Sequence, residues 1–192
     1  MIEPLIRKPF SMLLFNDRIT LELVSLDKTN QLWDIINEDR KKRSSIWPGL
    51  NTVDDLSEYI KDVIKANPAQ EVVYCISTEK NKCIGTIHLH TLNYADHKLE
   101  IGYWIAQKHE GFGFVHDSIK LVENEVKDLG FHRIEIKCLD QNRRSIHVAE
   151  RAGYVLEGIG ADDCVRDGIF QSTYHFAKIL DKNKTQNQLL NL

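Results

Sequence analysis

The stretch "YWIAQKHEGFGFVHDSIKLV", Tyr103 to Val122, passes from an apolar run into a helical one through a loop that carries Gly111 and Gly113. One glycine is enough for a turn. Two glycines, one residue apart and directly ahead of a helix, leave several backbone N–H groups bare and pointing at one spot. The positive end of the helix dipole lies behind them. That arrangement suits an anion, most often a phosphate. A P-loop would place Lys and then Ser or Thr after the glycines, and neither is present. A dinucleotide fingerprint would need a third glycine at position 116, which is His116, and would sit near the start of a βαβ unit.

Outward from this loop, the element order can be read from periodicity. Val115, Ile119, Val122, Val126 and Leu129 step by fours and threes, predicting a helix that stops at Gly130. Upstream, "EVVYCIST" and "CIGTIHLH" flank the polar "EKNK" as a hairpin, and "KLEIGYWIA" follows as a third strand. Further upstream, "RITLELV" (Arg18 to Val24) alternates like a strand, and Asp27 can cap a helix carrying Leu32, Trp33, Ile35 and Ile36. Thr52 with Asp55 resembles a capping box ahead of Val53, Leu56, Ile60, Val63 and Ile64, and Asn67–Pro68 stops that second helix. Downstream come "RIEIKCLD" as a strand, "RRSIHVAERAG" as a short helix ending at Gly153, and the strands "YVLEGIG" and "GIFQSTYHFAKI". The meander predicts antiparallel pairing, and the strand–helix–strand passage from Lys98 to Asp140 predicts one parallel or splayed pair. The expectation is a mixed α/β single domain over residues 13–180, with an arm at 1–12 and a polar, frayed tail at 181–192.

The 192 residues, 42% hydrophobic and 28% charged, have the balance of a soluble globular protein. A net charge of −3 argues against a nucleic-acid binder, and the one basic run, "DRKKRSS" (Asp39 to Ser45), reads as a solvated helix end. The four cysteines have no paired short spacing, so no disulfide framework or zinc motif is expected. His88 and His90 share one strand face, but no third ligand follows, and no metal is expected. No apolar stretch approaches a membrane span and the N-terminus has no signal-peptide pattern, so a cytoplasmic protein without membrane contact is expected.

"EIGYWIAQKHEGFGFVHDS", followed some thirty residues later by "DQNRRSIHVAERAGYVLEG", resembles the GCN5-related N-acetyltransferases (GNAT), most closely their RimJ/RimL-like branch. The resemblance covers about residues 10–180. It implies acetyl-CoA as co-substrate, an amine acceptor, either a protein N-terminus or a small molecule, and a single-domain sheet, mostly antiparallel with a splayed parallel pair, flanked by helices. It implies that backbone amides over Glu110, Gly111, Phe112, Gly113, Phe114 and Val115 hold the pyrophosphate, and that Tyr103, Trp104 and Ile105 pair with the pantetheine arm as an added strand would. A homodimer is carried as a further expectation.

Acetyl transfer to an amine requires a neutral amine, a polarised thioester carbonyl and a proton for the leaving thiolate. The resemblance assigns the proton to Ser145 and a cofactor contact to Asn142, whereas the pair read alone is a helix cap followed by a first-turn serine. For the base it places a Glu where this chain has Cys164, leaving Asp163 or Glu100 as candidates. His109 and His116 flank the glycine loop and can touch phosphate when charged. Trp47 and Pro48 fall where the family lines its acceptor pocket, although Trp47 as a core plug is an equal reading, and His88 is an acceptor-side candidate. The family usually has Gln or Arg where this chain has Glu110, and often a basic residue at Phe112. With the missing acid at Cys164, Glu110 keeps a non-catalytic acyl-CoA-binding or interaction module as the alternative.

Overall fold

The computed structural model describes residues 5, 8–38, 50–66, 70–80, 83–166 and 168–180. Trp47, Pro48, the basic run, the Asn67–Pro68 stop and the tail from 181 lie outside the described residues. The elements are β1 (Leu13–Phe15), β2 (Thr20–Leu23), α1 (Thr29–Glu38), α2 (Val53–Ala66), β3 (Val72–Ser77), β4 (Gly85–Asn93), β5 (Lys98–Ile105), α3 (Phe114–Asp128), β6 (Arg133–Leu139), α4 (Arg143–Arg151), β7 (Val155–Arg166) and β8 (Ile169–Ile179). They build one eight-stranded sheet in the order β1-β2-β3-β4-β5-β6-β8-β7. Every pair is antiparallel except β5 with β6. That parallel pair is short. It joins Lys98, Leu99 and Glu100 to Arg133, Ile134 and Glu135, and beyond these residues the two strands do not pair. The facing edges of Ile101–Ile105 and Ile136–Leu139 therefore border a gap in the middle of the sheet.

Alternation along the strands sends apolar side chains to both faces, and each face has its own helical layer. On one face Tyr74, Ile87, Ile101 and Ile134 pack against Ile119, Val122 and Val126 of α3 and against Ile146 and Ala149 of α4. On the other, Val73, Cys75 and Trp104 carry Leu32 and Ile36 of α1 and Leu56 and Ile60 of α2. Strand β5 divides the two. Leu99, Ile101, Tyr103 and Ile105 belong to the α3/α4 side, and Trp104 to the α1/α2 side. The predicted capping box is present: the Thr52 N–H donates to the Asp55 carboxylate at 2.8 Å, and the Asp55 N–H donates to the Thr52 hydroxyl at 3.1 Å.

The structure departs from the sequence reading at both ends. Asp27 does not cap α1. It sits inside a 3-10 turn, Leu26–Lys28, that leads into the helix, and the Thr29 hydroxyl donates to the Leu26 carbonyl at 2.7 Å. The described part of the N-terminal arm is docked: Phe10 is buried in the larger core, and Ser11 donates through N–H and Oγ to Glu125 of α3. At the other end, β7, expected over Tyr154–Gly160, runs on through Asp162 and Asp163 to Arg166. A register shift between Gly160 and Cys164 and a left-handed Asp162 (φ 51°) absorb the polar insertion.

Candidate active site

A cleft of about 700 Å³ opens on the α3/α4 face. Its walls are the open edge of β5 at Tyr103–Ile105, the glycine loop with the start of α3, and one face of α4 from its cap at Asn142 to Arg151. Both loop glycines have positive φ, 82° at Gly111 and 83° at Gly113, a conformation costly for any residue with a Cβ. This accounts for the double glycine: two left-handed residues turn the chain sharply, and the second is the N-cap of α3. No side chain caps that helix, so its first-turn amides at Phe114, Val115 and His116 are available to an anion. His109 and His116 line the cleft. Phe112 does not. It is exposed and stacks on Phe114, ring centroids 5.9 Å apart.

Two arginines that sequence spacing gave no reason to place here brace the loop. Arg18, in the β1–β2 turn, donates to the Phe112 carbonyl and to Asp117, each at 2.6 Å, and lies over the Phe114 ring at 5.2 Å. Arg144, on α4, forms an ion pair with Glu110. The carboxylate in the glycine loop is thus met by a guanidinium from the opposite wall of the cleft.

Asn142 and Ser145 start α4, and the Asn142 side chain accepts from the Ser145 N–H at 3.2 Å, so the cap is present. Both residues also line the cleft. The Ser145 hydroxyl lies 2.9 Å from the Tyr103 hydroxyl, which also donates to the Ser145 carbonyl at 3.2 Å. Sequence reasoning gave Tyr103 a backbone role only. Its side chain is a second, buried hydroxyl behind Ser145, and burial pushes its pKa upward, keeping the phenol protonated.

The other candidates lie on the opposite face. Glu100 approaches Lys137 at 3.2 Å and His90 at 3.9 Å. The His90 ring lies beside Gly102, where a Cβ would sit 3.4 Å from Nε2, and burial lowers its pKa. Asp163 accepts from the Thr173 hydroxyl at 2.8 Å and lies 3.1 Å from His175. The Thr173 hydrogen bond, more than the His175 contact, holds its carboxyl below the usual range. Lys137 and His175 are register partners, so Glu100, Lys137, His175 and Asp163 form a row across β5, β6, β8 and β7. His88 is held by Thr86 at 2.9 Å and approaches Glu71 and Tyr59 at 3.4 Å each. Neither candidate base shares the cleft with Ser145. They occupy the α1/α2 side, and the sheet lies between the two sets, open only where β5 and β6 cease to pair. Among the described residues no group of three His, Cys, Asp or Glu side chains could hold a metal, and no helix is long and apolar enough to cross a membrane.

Comparison with known proteins agrees with this geometry. Residues 18–155 match the family model for the acetyltransferase (GNAT) domain, and the chain belongs to that family. It is similar to the ribosomal-protein-serine acetyltransferase of Escherichia coli, 22% identical over 86% of this chain and 95% of that protein. It is also similar to the "Putative ribosomal N-acetyltransferase YdaF" of Bacillus subtilis, 36% identical over 47% of this chain, an alignment spanning about half (48%) of that relative. Among solved structures, the microcin C7 self-immunity acetyltransferase MccE in complex with acetyl-CoA and AMP superposes with a TM-score of 0.80 at 26% identity, covering 86% of this chain and 94% of that one.

Proposed function

We propose that this chain transfers acetyl from acetyl-CoA to a primary amine, a protein N-terminal α-amine or a small-molecule amine, by direct attack in a ternary complex. The observation that carries the proposal is the single cleft walled by an open strand edge, a helix N-terminus behind two left-handed glycines, and a hydrogen-bonded Ser145–Tyr103 pair. The first two offer the contacts that pantetheine and pyrophosphate require, and the third supports the reading of Ser145 as the group that gives a leaving thiolate its proton. The relative that acts on a ribosomal protein favours a protein N-terminus, and the complex with acetyl-CoA favours the thioester donor.

In the proposed step, the amine nitrogen attacks the thioester carbonyl carbon while backbone N–H groups near Ile105 stabilise the developing oxyanion. The C–S bond breaks and Ser145 gives its proton to the sulfur; the Tyr103 hydroxyl, still protonated, donates a hydrogen bond to the serine oxygen, and water restores the serine proton. The proton lost by the amine leaves on the other side of the sheet, to Glu100 or Asp163, directly or through water. A protein α-amine titrates near ~7.7–8.0, so a modest base suffices. No acyl-enzyme is required when both reactants are held together. Trp47, Pro48 and His88 belong to the acceptor side of this reading, as do a cytoplasmic setting and a homodimer. The non-catalytic alternative loses one support, because Glu110 is ion-paired to Arg144 and not left bare beside the anion site.

The test is thiol release from acetyl-CoA against a panel of N-terminal peptides, polyamines and aminoglycosides. Release with at least one acceptor is expected. Cofactor binding without release across the whole panel would leave the non-catalytic module as the better reading.

A further inference from the structure

Helix α4 presents a second feature to the cleft. Ile146 and Ala149 are buried in the core, and Arg144, His147 and Arg151, spaced by three and four residues, share the face that lines the cavity. Arg144 is committed to Glu110, but among the described residues His147 and Arg151 have no hydrogen-bond or ion-pair partner. Exposed arginines without a carboxylate are ordinary on an open surface. A row of basic side chains on the wall of a cleft, beginning beside the phosphate loop and continuing away from it, points to a further anion.

The row has a length. At 1.5 Å per residue, Arg144 to Arg151 is about 10 Å along the helix. Arg144 reaches the glycine loop, so Arg151 lies roughly that distance farther along the wall. Resting on the reading of the cleft as an acetyl-CoA site, we infer that Arg151, with His147 beside it, receives the 3′-phosphate of the coenzyme's ribose, and that the enzyme thereby selects CoA thioesters over thioesters lacking that phosphate. The chemistry fits. The 3′-phosphate is a phosphomonoester of charge about −1.5 to −2 at neutral pH, one sugar away from the pyrophosphate, and a guanidinium binds such a group bidentately. Arg144 is a different case. It faces the loop, so it acts on the pyrophosphate that CoA and dephospho-CoA share.

The test is calorimetric titration of the full chain with CoA and with dephospho-CoA at low ionic strength. The wild type should bind CoA about tenfold more tightly, the equivalent of one hydrogen bond to a charged group. Arg151→Gln should bring the two affinities within about twofold and leave that for dephospho-CoA unchanged, and Arg151→Lys should recover part of the preference because it keeps the charge without the fork. Raising the salt should shrink the wild-type preference, since the contact is open to solvent. Arg144→Gln should weaken both ligands together. Equal wild-type affinities, or an Arg151→Gln variant that loses both ligands equally, would overturn the assignment while leaving the cleft a CoA site. Binding of neither ligand would overturn the proposed function itself and this inference with it.

Discussion

The two sides of strand β5 are chemically opposite. Toward α3 and α4 it faces bare helix amides, arginines, histidines and a pair of neutral hydroxyls. Toward α1 and α2 it carries Glu100, flanked by His90 on one side and by Lys137 on the other, with His175 and Asp163 further along the row. The first set suits an anionic, thioester-bearing ligand, and the second suits a cation that must give up a proton. Period-two alternation lets one strand serve both, and the early end of β5–β6 pairing leaves a gap where the two ligands can meet.

The comparison breaks most sharply at Ser145. If it is the acid of the cleft side, Ser145→Ala lowers kcat by ~10²–10⁴-fold with the KM for acetyl-CoA nearly unchanged, measured on an acceptor verified in the panel. Full turnover in that variant would assign the proton to water or to another group. Tyr103→Phe removes one hydrogen bond behind the acid and should cost about 2–10-fold in kcat.

On the acceptor side, Glu100→Gln and Asp163→Asn test the two carboxylates against each other. One should reduce kcat/KM by about 10²-fold and the other should stay within about twofold, while CoA titration is unaffected in both. If both variants keep full activity, the carboxylate row is not the base and the proton leaves elsewhere.

Glu110→Gln sharpens the cleft side. It removes a negative charge from the loop and releases Arg144, so CoA should bind a few-fold more tightly, an effect that fades at high salt. Asn142→Ala should weaken CoA binding and cost about 1 kcal/mol of stability through loss of the α4 cap, read as a lowered Tm. Unchanged CoA affinity with the stability loss alone would make Asn142 a cap and nothing more.

The smallest effect belongs to Glu71. Its carboxyl is held below the usual range first by the hydrogen bond with His88, against the opposing effect of burial. A depressed carboxylate contributes stability that is complete above its unfolded value near ~4.3 and is lost as pH falls through the folded value. Glu71→Gln should therefore lower Tm by a few degrees at pH 7, about 1 kcal/mol, and the difference should close as pH falls through the folded carboxyl's lowered value. A difference that is constant with pH would show that the Glu71 charge contributes nothing.

What was legible in the sequence was local. The stepping of Val115, Ile119, Val122 and Val126, the Thr52–Asp55 box, the Asn142 cap and the hairpin around "EKNK" each rest on residues within a turn or two of one another, and each is present. The paired motifs carried the family. What was not legible depends on contacts between distant residues. Arg18 reaches the glycine loop across 94 residues, Arg144 meets Glu110 across 34, and Tyr103 meets Ser145 across 42. No periodicity announces such pairs. The continuation of β7 was hidden for a related reason: the strand read as ending at Gly160, but β8 pairs again with Cys164, Val165 and Arg166 beyond the bulge that holds Asp162 and Asp163. The separation of Ser145 from Glu100 and Asp163 likewise follows from the sheet register, which the individual motifs do not contain.

The central claim is that the cleft between β5, the glycine loop and α4 is the coenzyme site, and that the opposite face is not. Hydrogen–deuterium exchange of the full chain with and without saturating CoA reads this directly, because the amides of Glu110 to His116 have few internal partners to protect them. The account predicts that CoA slows exchange over 110–116 and over Tyr103–Ile105, with the segments around His88, His90 and Asp163 unchanged. Protection confined to those acceptor-side segments, or none over 110–116 at saturation, would contradict it.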